Sequence, residues 1–227
     1  MNIKILSDLH LIDPIKASEL DPVADVLVLA GDIALHDCIN KVLCTFCSKY
    51  KNVIFVPGNH EFYGTSIEQF YAELVELDNL HTLREQIIII DGIRFVGTTL
   101  WFPESCGTIQ YRSILNDFNW IKAFNPGELN DIAQTFLLDT VRPGDVVVTH
   151  HAPSIQSVED RYKNSPFNCF FISDQENLII NNEPRLWIHG HVHNLCNYNI
   201  GNTMVVCKAK EHNTLLRSAT DQLVTLC

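Results

Sequence analysis

Five short clusters of aspartate, asparagine and histidine side chains, each directly after an apolar run, are the groups in this 227-residue chain best suited to chemistry. Carboxylate oxygen and imidazole nitrogen are ligands that suit zinc, manganese and iron, and no cluster contains a cysteine. Together they offer more ligands than one tetrahedral ion accepts, which favours two divalent ions that share a carboxylate. In chain order the clusters are Ser7-Asp8-Leu9-His10, Gly31-Asp32, Gly58-Asn59-His60-Glu61, His150-His151 and Gly190-His191-Val192-His193.

The shared position of the clusters carries more weight than any one of them, because a single Asp-x-His or Gly-Asp pair is commonly a plain turn. In α/β proteins the carboxyl ends of the strands meet at one edge of the sheet, where ligands bind. Carboxylates and imidazoles gathered in a cleft are costly unless a cation compensates them. Gly31, Gly58 and Gly190 stand beside the presumed ligands, where an unusual turn or a close backbone approach needs glycine.

Short apolar runs that alternate with helical patterns predict the elements that position these clusters. Two of the runs flank Asp91-Gly92, a strong signal for an antiparallel hairpin. Strands and helices therefore interleave in an α/β fold with mixed sheets, and since no repeat or long linker divides the chain, we interpret residues 1–227 as a single domain. The predicted strands are 3–6, 25–30, 53–56, 87–90, 93–96, 145–149, 186–188 and 203–207, and helical stripes lie within 35–50, 67–74 and 129–137, the last after Asn125-Pro126.

The composition excludes several classes of protein. With 46% hydrophobic and 19% charged residues, the chain is ordinary for a folded domain. Its net charge of −11 leaves no broad basic face for phosphate backbones, so nucleic acid is disfavoured as a partner. No apolar run approaches the ~20 residues that span a bilayer, and no signal peptide is recognised. We therefore expect a cytoplasmic protein with reduced cysteines and no membrane partner, in which Cys44 and Cys47 pack within a helix.

The order of the clusters resembles that of the calcineurin-like metallophosphoesterase superfamily, and the resemblance runs from Asp8 to His193. It implies an αββα sandwich of two mixed β-sheets flanked by helices, with a dinuclear metal site at the carboxyl edge of the strands. By the same resemblance, Asp32 bridges two divalent ions, whose identity as Mn, Fe or Zn stays open, and His60 helps to protonate the leaving group. The implied ligands are Asp8, His10, Asp32 and His193 for the first ion, and Asp32, Asn59, His150 and His191 for the second.

The function implied by the resemblance is hydrolysis of a phosphoester by a metal-activated hydroxide. A small phosphomonoester is the first expectation, since an acidic chain with a local cationic site suits small anions. Phosphodiesters, cyclic nucleotides among them, are the alternative, and a nuclease is disfavoured by the net charge. A metal-binding scaffold without catalysis is an alternative of another class. The oligomeric state is left open.

Several side chains beside the presumed ligands have competing interpretations. Asn59, His60 and His151 are candidate contacts of the substrate. His151 could instead fix the tautomer of His150 or pack on the surface. We interpret Glu61 as a solvated or helix-capping carboxylate rather than a ligand.

Two less regular segments, 101–124 and 164–174, have the irregular character of functional segments. Asn116 and Asp117, within the first of them, are interpreted as turn residues rather than substrate contacts. The sequence lacks the motif context of the paired arginines with which the Ser/Thr phosphatase branch of the family clamps phosphate. Arg112 and Arg161 could substitute for that pair, although no spacing argument supports either.

Overall fold

The strands form two sheets in the computed structural model, which describes residues 1–18, 24–104, 111–209 and 223–226. Both sheets are mixed and have a parallel centre, with an antiparallel strand at one edge of the first sheet and at both edges of the second. The first sheet consists, in spatial order, of β11 (Leu223–Thr225), β1 (Asn2–Leu6), β2 (Val26–Ala30), β3 (Asn52–Val56) and β4 (Leu80–Thr82). The second consists of β5 (Gln86–Ile90), β6 (Ile93–Thr98), β7 (Val146–Thr149), β8 (Leu186–His189), β10 (Thr203–Cys207) and β9 (Cys196–Ile200).

Helices cover the outer faces of the two sheets, and together these layers confirm the expected αββα sandwich. Between the sheets, strand residues such as Val28 and Val148 share one apolar core. Outside the first sheet, Phe46 packs with Phe55, and outside the second, Leu137 packs with Trp187. The α-helices are α1 (Ile15–Ser18), α2 (His36–Cys47), α3 (Ile67–Glu73), α4 (Asn116–Trp120), α5 (Pro126–Thr140) and α6 (Glu176–Asn182), and 3-10 turns cover His60–Phe62, Arg112–Ile114, Ile155–Ser157, Asp160–Tyr162 and Pro166–Phe170.

The predicted helix start at Asn125-Pro126 is confirmed, but one residue of its apolar stripe is not buried. The Asn125 side chain accepts a hydrogen bond from the backbone N–H of Glu128, and proline occupies the first turn of α5. Ile132, expected on the buried stripe, is 49% exposed. Asn130 is buried instead and donates to Ser173 Oγ at 2.8 Å. The inner face of α5 is therefore partly polar, which hydrophobic periodicity alone does not reveal.

The eight predicted strands and the Asp91-Gly92 hairpin are confirmed, whereas three short edge strands were not predicted. β4 is three residues long, and β9 carries alternating polar residues on its exposed face. The predicted irregular segments contain α4 and two of the 3-10 turns, and residues 105–110 lie outside the described part.

Cys44 and Cys47 lie on α2 as expected, and the cysteines within the described ranges are free thiols. Cys106 and Cys227 fall outside those ranges. Within the ranges that the structure covers, none of the helices has the length and apolar character needed to cross a bilayer.

The strand order explains how distant parts of the chain reach one edge. β1, β2 and β3 are parallel neighbours in the first sheet, and β7 and β8 are parallel neighbours in the second. Each of the five polar clusters directly follows one of these strands. The clusters therefore meet where the carboxyl ends of both sheets lie side by side.

Candidate metal centre

The loops after β1, β2, β7 and β8 are joined by backbone hydrogen bonds that fix the candidate ligands in place. The N–H of Asp8 donates to Gly31 O at 3.0 Å, and the N–H of His10 donates to Asp32 O at 2.9 Å. In the second sheet, the Gly190 N–H donates to the His150 carbonyl at 3.0 Å. The loops thus continue the pairing of the strands below them.

The first candidate group brings together Asp8, His10, Asp32 and His193, whose ligand atoms all lie within 4.8 Å of one another. His193 Nε2 is 3.5 Å from Asp8 Oδ1, and His10 Nε2 is 3.9 Å from Asp32 Oδ2. Asp8 Oδ2 is buried without a hydrogen-bond partner among the described residues. A buried carboxylate oxygen in this state is costly unless a cation satisfies it, so the group fits a divalent ion.

The second candidate group consists of Asp32, His150 and His191, again within 4.8 Å of one another. His150 Nε2 is 3.4 Å from Asp32 Oδ1 and 3.1 Å from His191 Nδ1. The side-chain oxygen of Asn59 is 3.1 Å from the same His150 nitrogen and so faces this group too. Asp32 belongs to both groups, which is the arrangement that a bridging carboxylate requires.

Burial and the charge of Asp32 set the protonation states of the histidines. His150 Nδ1 lies 3.0 Å from the carbonyl of Ala30, which leaves Nε2 facing the cluster. Burial lowers the pKa of His10 to about 4 and that of His191 well below its usual value, so both rings are neutral near pH 7. For His150 the effect of burial is outweighed by the Asp32 carboxylate, which raises the pKa to about 9. The negative charge of Asp32 therefore favours positive charge next to its carboxylate.

The backbone at the candidate ligands is strained. Left-handed conformations in residues other than glycine are uncommon and cost on the order of 1–3 kcal/mol each, and they concentrate at functional sites. Five of the presumed ligands adopt them. They are Asp8 (φ 55°), His10 (φ 46°), Asp32 (φ 56°), His191 (φ 69°) and His193 (φ 50°).

Two glycines beside the ligands are required by close approach, as the sequence predicted. A Cβ on Gly58 would lie 2.3 Å from Asp32 Oδ1, and one on Gly31 would lie 2.2 Å from His150 Nδ1. Both distances are shorter than any non-bonded contact allows. Larger residues at these positions would push the ligands apart.

Glu61 has a different role from the one predicted. It is fully buried rather than solvated or helix-capping, and it accepts hydrogen bonds from four backbone N–H groups. Three come from the loop after β2, at Asp32, Ile33 and Ala34, and the fourth comes from Gly58 after β3, at distances of 2.6–3.0 Å. Burial and the nearby Asp32 charge raise the pKa of Glu61, and the backbone donors oppose this shift. The Glu61 carboxylate holds two ligand loops together.

Asp117 corrects a second prediction, because it is a buried partner of Asn59 and not a turn residue. It lies on α4 and accepts a hydrogen bond from Asn59 Nδ2 at 2.8 Å and another from the Tyr63 hydroxyl at 2.7 Å. These contacts fix the Asn59 amide with its oxygen towards His150. Since 58 residues separate Asp117 from Asn59, no local pattern could have indicated the pair.

His60 and His151 differ in their exposure to solvent. His60 is partly exposed at the mouth of the site, with Nε2 3.8 Å from Asp32 Oδ2. His151 has no exposed surface and packs its ring against His191 at 4.2 Å. It therefore does not pack on the surface, and it is not among the described residues that line the cavity. The Ala30 carbonyl, not His151, fixes the tautomer of His150.

The cavity above the cluster has a volume of about 240 Å³. Among the described residues that line it, none is arginine or lysine. Arg112 instead pairs with Glu104, and Arg161 pairs with Glu159 at 2.7 Å. The possibility that these arginines replace a phosphate clamp is therefore not supported. The cavity is lined by residues that include Asp32, Asn59, His60, Tyr63, Asp117, His191 and His193.

The sandwich and the paired ligand groups define a class of hydrolases that act on phosphoester bonds at a metal centre. A family model described as calcineurin-like phosphoesterase matches residues 1–195. The chain belongs to this calcineurin-like phosphoesterase family, whose members typically bind two divalent metal ions.

The chain is similar in sequence to a viral protein and similar in fold to solved structures. It is 29% identical over 203 residues to the uncharacterized protein L509 of Acanthamoeba polyphaga mimivirus, covering 74% of this chain and 71% of that protein. Its fold is similar to that of the phosphopantetheinyl hydrolase PptH from Mycobacterium tuberculosis (TM-score 0.75, 17% identity, 98% and 94% of the two chains). It is also similar to a dimetal phosphatase from Danio rerio (TM-score 0.50, 15% identity, 91% and 86%).

Proposed function

We propose that this chain hydrolyses a small phosphomonoester at two divalent ions. The observation that carries the proposal is the pair of ligand groups that share Asp32. Asp8, His10, Asp32 and His193 would hold one ion, and Asp32, Asn59, His150 and His191 would hold the other. When bound, two such ions supply Lewis-acid stabilisation of phosphoryl oxygens and lower the pKa of water. The donor set of carboxylate, amide and imidazole suits Mn, Fe or Zn.

The side chains of the chain itself position the substrate and move a proton. Asp32 would fix the separation of the two cations, and the hydrogen bonds that the Asn59 amide donates to Asp117 and to the Tyr63 hydroxyl keep the Asn59 oxygen on the cluster. His60, at the mouth of the cavity, is placed to give a proton to the departing alkoxide oxygen. The small cavity suits a phosphate group of a small anion. A cytoplasmic location and a single-domain organisation stay predictions.

A phosphodiester is the second candidate, and one observation favours it. The absence of arginine and lysine from the described lining provides little charge for a dianion beyond the metal ions themselves. A diester carries one negative charge less and presents a second organic group. Nothing in the lining favours a nucleic acid, and the net charge of −11 disfavours one.

Metal removal and restoration test the proposal directly. The protein is treated with a chelator, reloaded with Mn²⁺ and assayed on p-nitrophenyl phosphate and on bis(p-nitrophenyl) phosphate. We expect turnover only after reloading, with the monoester faster. A faster diester would select the second candidate. Absence of turnover on both esters with Mn²⁺, Fe²⁺ or Zn²⁺, although metal analysis shows two bound ions, would leave the non-catalytic scaffold as the function.

Proton donation by His60 can be tested by changing the leaving group of the substrate. We expect His60→Asn to lower kcat roughly a hundredfold on an alkyl phosphate, whose alkoxide must be protonated, and less than tenfold on p-nitrophenyl phosphate. His81→Asn, on β4 and outside the cavity lining, is the matched control and should change neither rate. Equal losses on both substrates would show that His60 binds or orders the site without donating a proton.

A further inference from the structure

An uncharged groove opens beside the metal cavity. It has a volume of about 500 Å³, and its walls are mostly apolar. Ile114, Leu115 and Phe171 line both the groove and the cavity, so the two form one continuous depression. Val192, between two presumed ligands, also lines the groove. A molecule whose phosphate sits at the metal centre therefore has room to extend into this groove.

The lack of charge in the groove distinguishes it from two other described grooves. Its described lining contains no charged side chain, although the chain carries a net charge of −11. Two other grooves include charged residues, Glu76 and Arg84 in one and Asp37 and Lys122 in the other. Exposed apolar surface next to a polar site marks a place where a ligand binds.

The far wall of the groove is held in shape without a ligand. Asn168 Nδ2 donates to the carbonyls of Tyr162 and Lys163 at 2.9 and 3.0 Å. Asn194 Nδ2 donates to the carbonyl of Ser157 at 3.0 Å, which ties the wall to the loop after β8. A groove formed in advance binds with a smaller loss of conformational entropy than one that must be ordered.

We infer that this groove binds the organic part of the substrate, and that the natural substrate is a phosphoester of an extended, uncharged and largely apolar alcohol, with an alkyl, acyl or aryl group. The inference rests on the proposed function. Continuity with the metal cavity favours the substrate over a second copy of the chain, because the groove leads directly to the reacting phosphate. The uncharged walls exclude a polyanionic group such as a nucleotide chain.

Alkyl phosphates from methyl to octyl phosphate test this inference, since their leaving-group chemistry is nearly constant. With the Mn²⁺-loaded chain we expect kcat/KM to rise roughly threefold for each methylene that enters the groove, so that about four methylenes in the groove give about a hundredfold. Ile114→Ser and Tyr162→Ser, at exposed groove positions, should each lower the ratio of octyl to methyl phosphate kcat/KM about fivefold. Ile132→Ser, at a similarly exposed isoleucine on α5, is the matched control and should leave the ratio unchanged.

Binding of alkyl phosphonates, measured by calorimetry on the loaded chain, separates the inference from the proposed function. Affinity that grows with chain length and falls in the two variants supports the groove even if no ester is hydrolysed. Hydrolysis without any dependence on chain length, in rate or in affinity, overturns the groove and leaves the hydrolase intact. A change in oligomeric state in the groove variants, measured by light scattering, would identify the groove as an interface between copies and would also overturn the inference.

Discussion

Replacement of Asp32 by asparagine is expected to remove bound metal and hydrolysis together. The two carboxylate oxygens of Asp32 face different ligand groups, with Oδ1 towards His150 and Oδ2 towards His10. An asparagine amide has one oxygen and no charge, so it cannot bridge two cations. We expect the metal content to fall below two ions per chain and turnover to fall roughly a thousandfold or more.

The asparagine variant should still fold, which makes the result interpretable. The Asp32 carboxylate accepts a hydrogen bond from the His60 N–H at 2.9 Å, and the oxygen of asparagine can accept it as well. Elemental analysis and the p-nitrophenyl phosphate assay are the measurements, and Asp139→Asn, an exposed aspartate on α5, is the matched control. Full turnover with both ions bound in the Asp32 variant would refute the bridging role.

Replacement of Glu61 by glutamine should have the largest effect on stability. Four backbone N–H groups point at its carboxylate, and a glutamine would turn an NH₂ group towards some of them. Leaving buried donors unpaired costs about 1–3 kcal/mol each, and hydrogen bonds to a charged group are the stronger ones. We expect the free energy of unfolding to fall by roughly 3 kcal/mol or more, measured by urea denaturation of the metal-free chain.

Glu68→Gln is the matched control, because Glu68 is an exposed residue on α3 whose contact with Arg84 at 3.6 Å is a surface ion pair. Its unfolding free energy should change by less than about 0.5 kcal/mol. A loss no larger than this in the Glu61 variant would mean that the loops after β2 and β3 keep their positions without the carboxylate.

The ligand clusters and the central strands were predictable because their signals are local. Each cluster follows its own apolar run, so the sequence showed both the strand and the polar residues at its end. The partners that hold the ligands were not predictable in the same way. Glu61 acts on N–H groups that lie 27 to 29 residues away, and Asp117 on an amide that is 58 residues away. Such pairs depend on the completed packing of the loops, which short patterns do not contain.

The burial of particular side chains could not be predicted from the sequence either. His151 stands beside a presumed ligand, and only its burial and its ring contact with His191 in the folded chain show that it faces the interior. On α5, Asn130 is buried through a bond to Ser173, a residue on a loop that the helical pattern does not include. Polar residues that find a partner can occupy core positions, and this is where apolar periodicity fails as a guide.

Each ligand group takes side chains from both sheets, since Asp32 and Asn59 follow strands of the first sheet while His150, His191 and His193 follow strands of the second. An ion in either group would therefore link the two sheets of the sandwich, and its binding free energy would add to the stability of the fold. In evolution, a descendant that abandoned catalysis by losing these ligands would lose this link as well. Its fold would then be less stable, unless a new contact across the same edge replaced the ion.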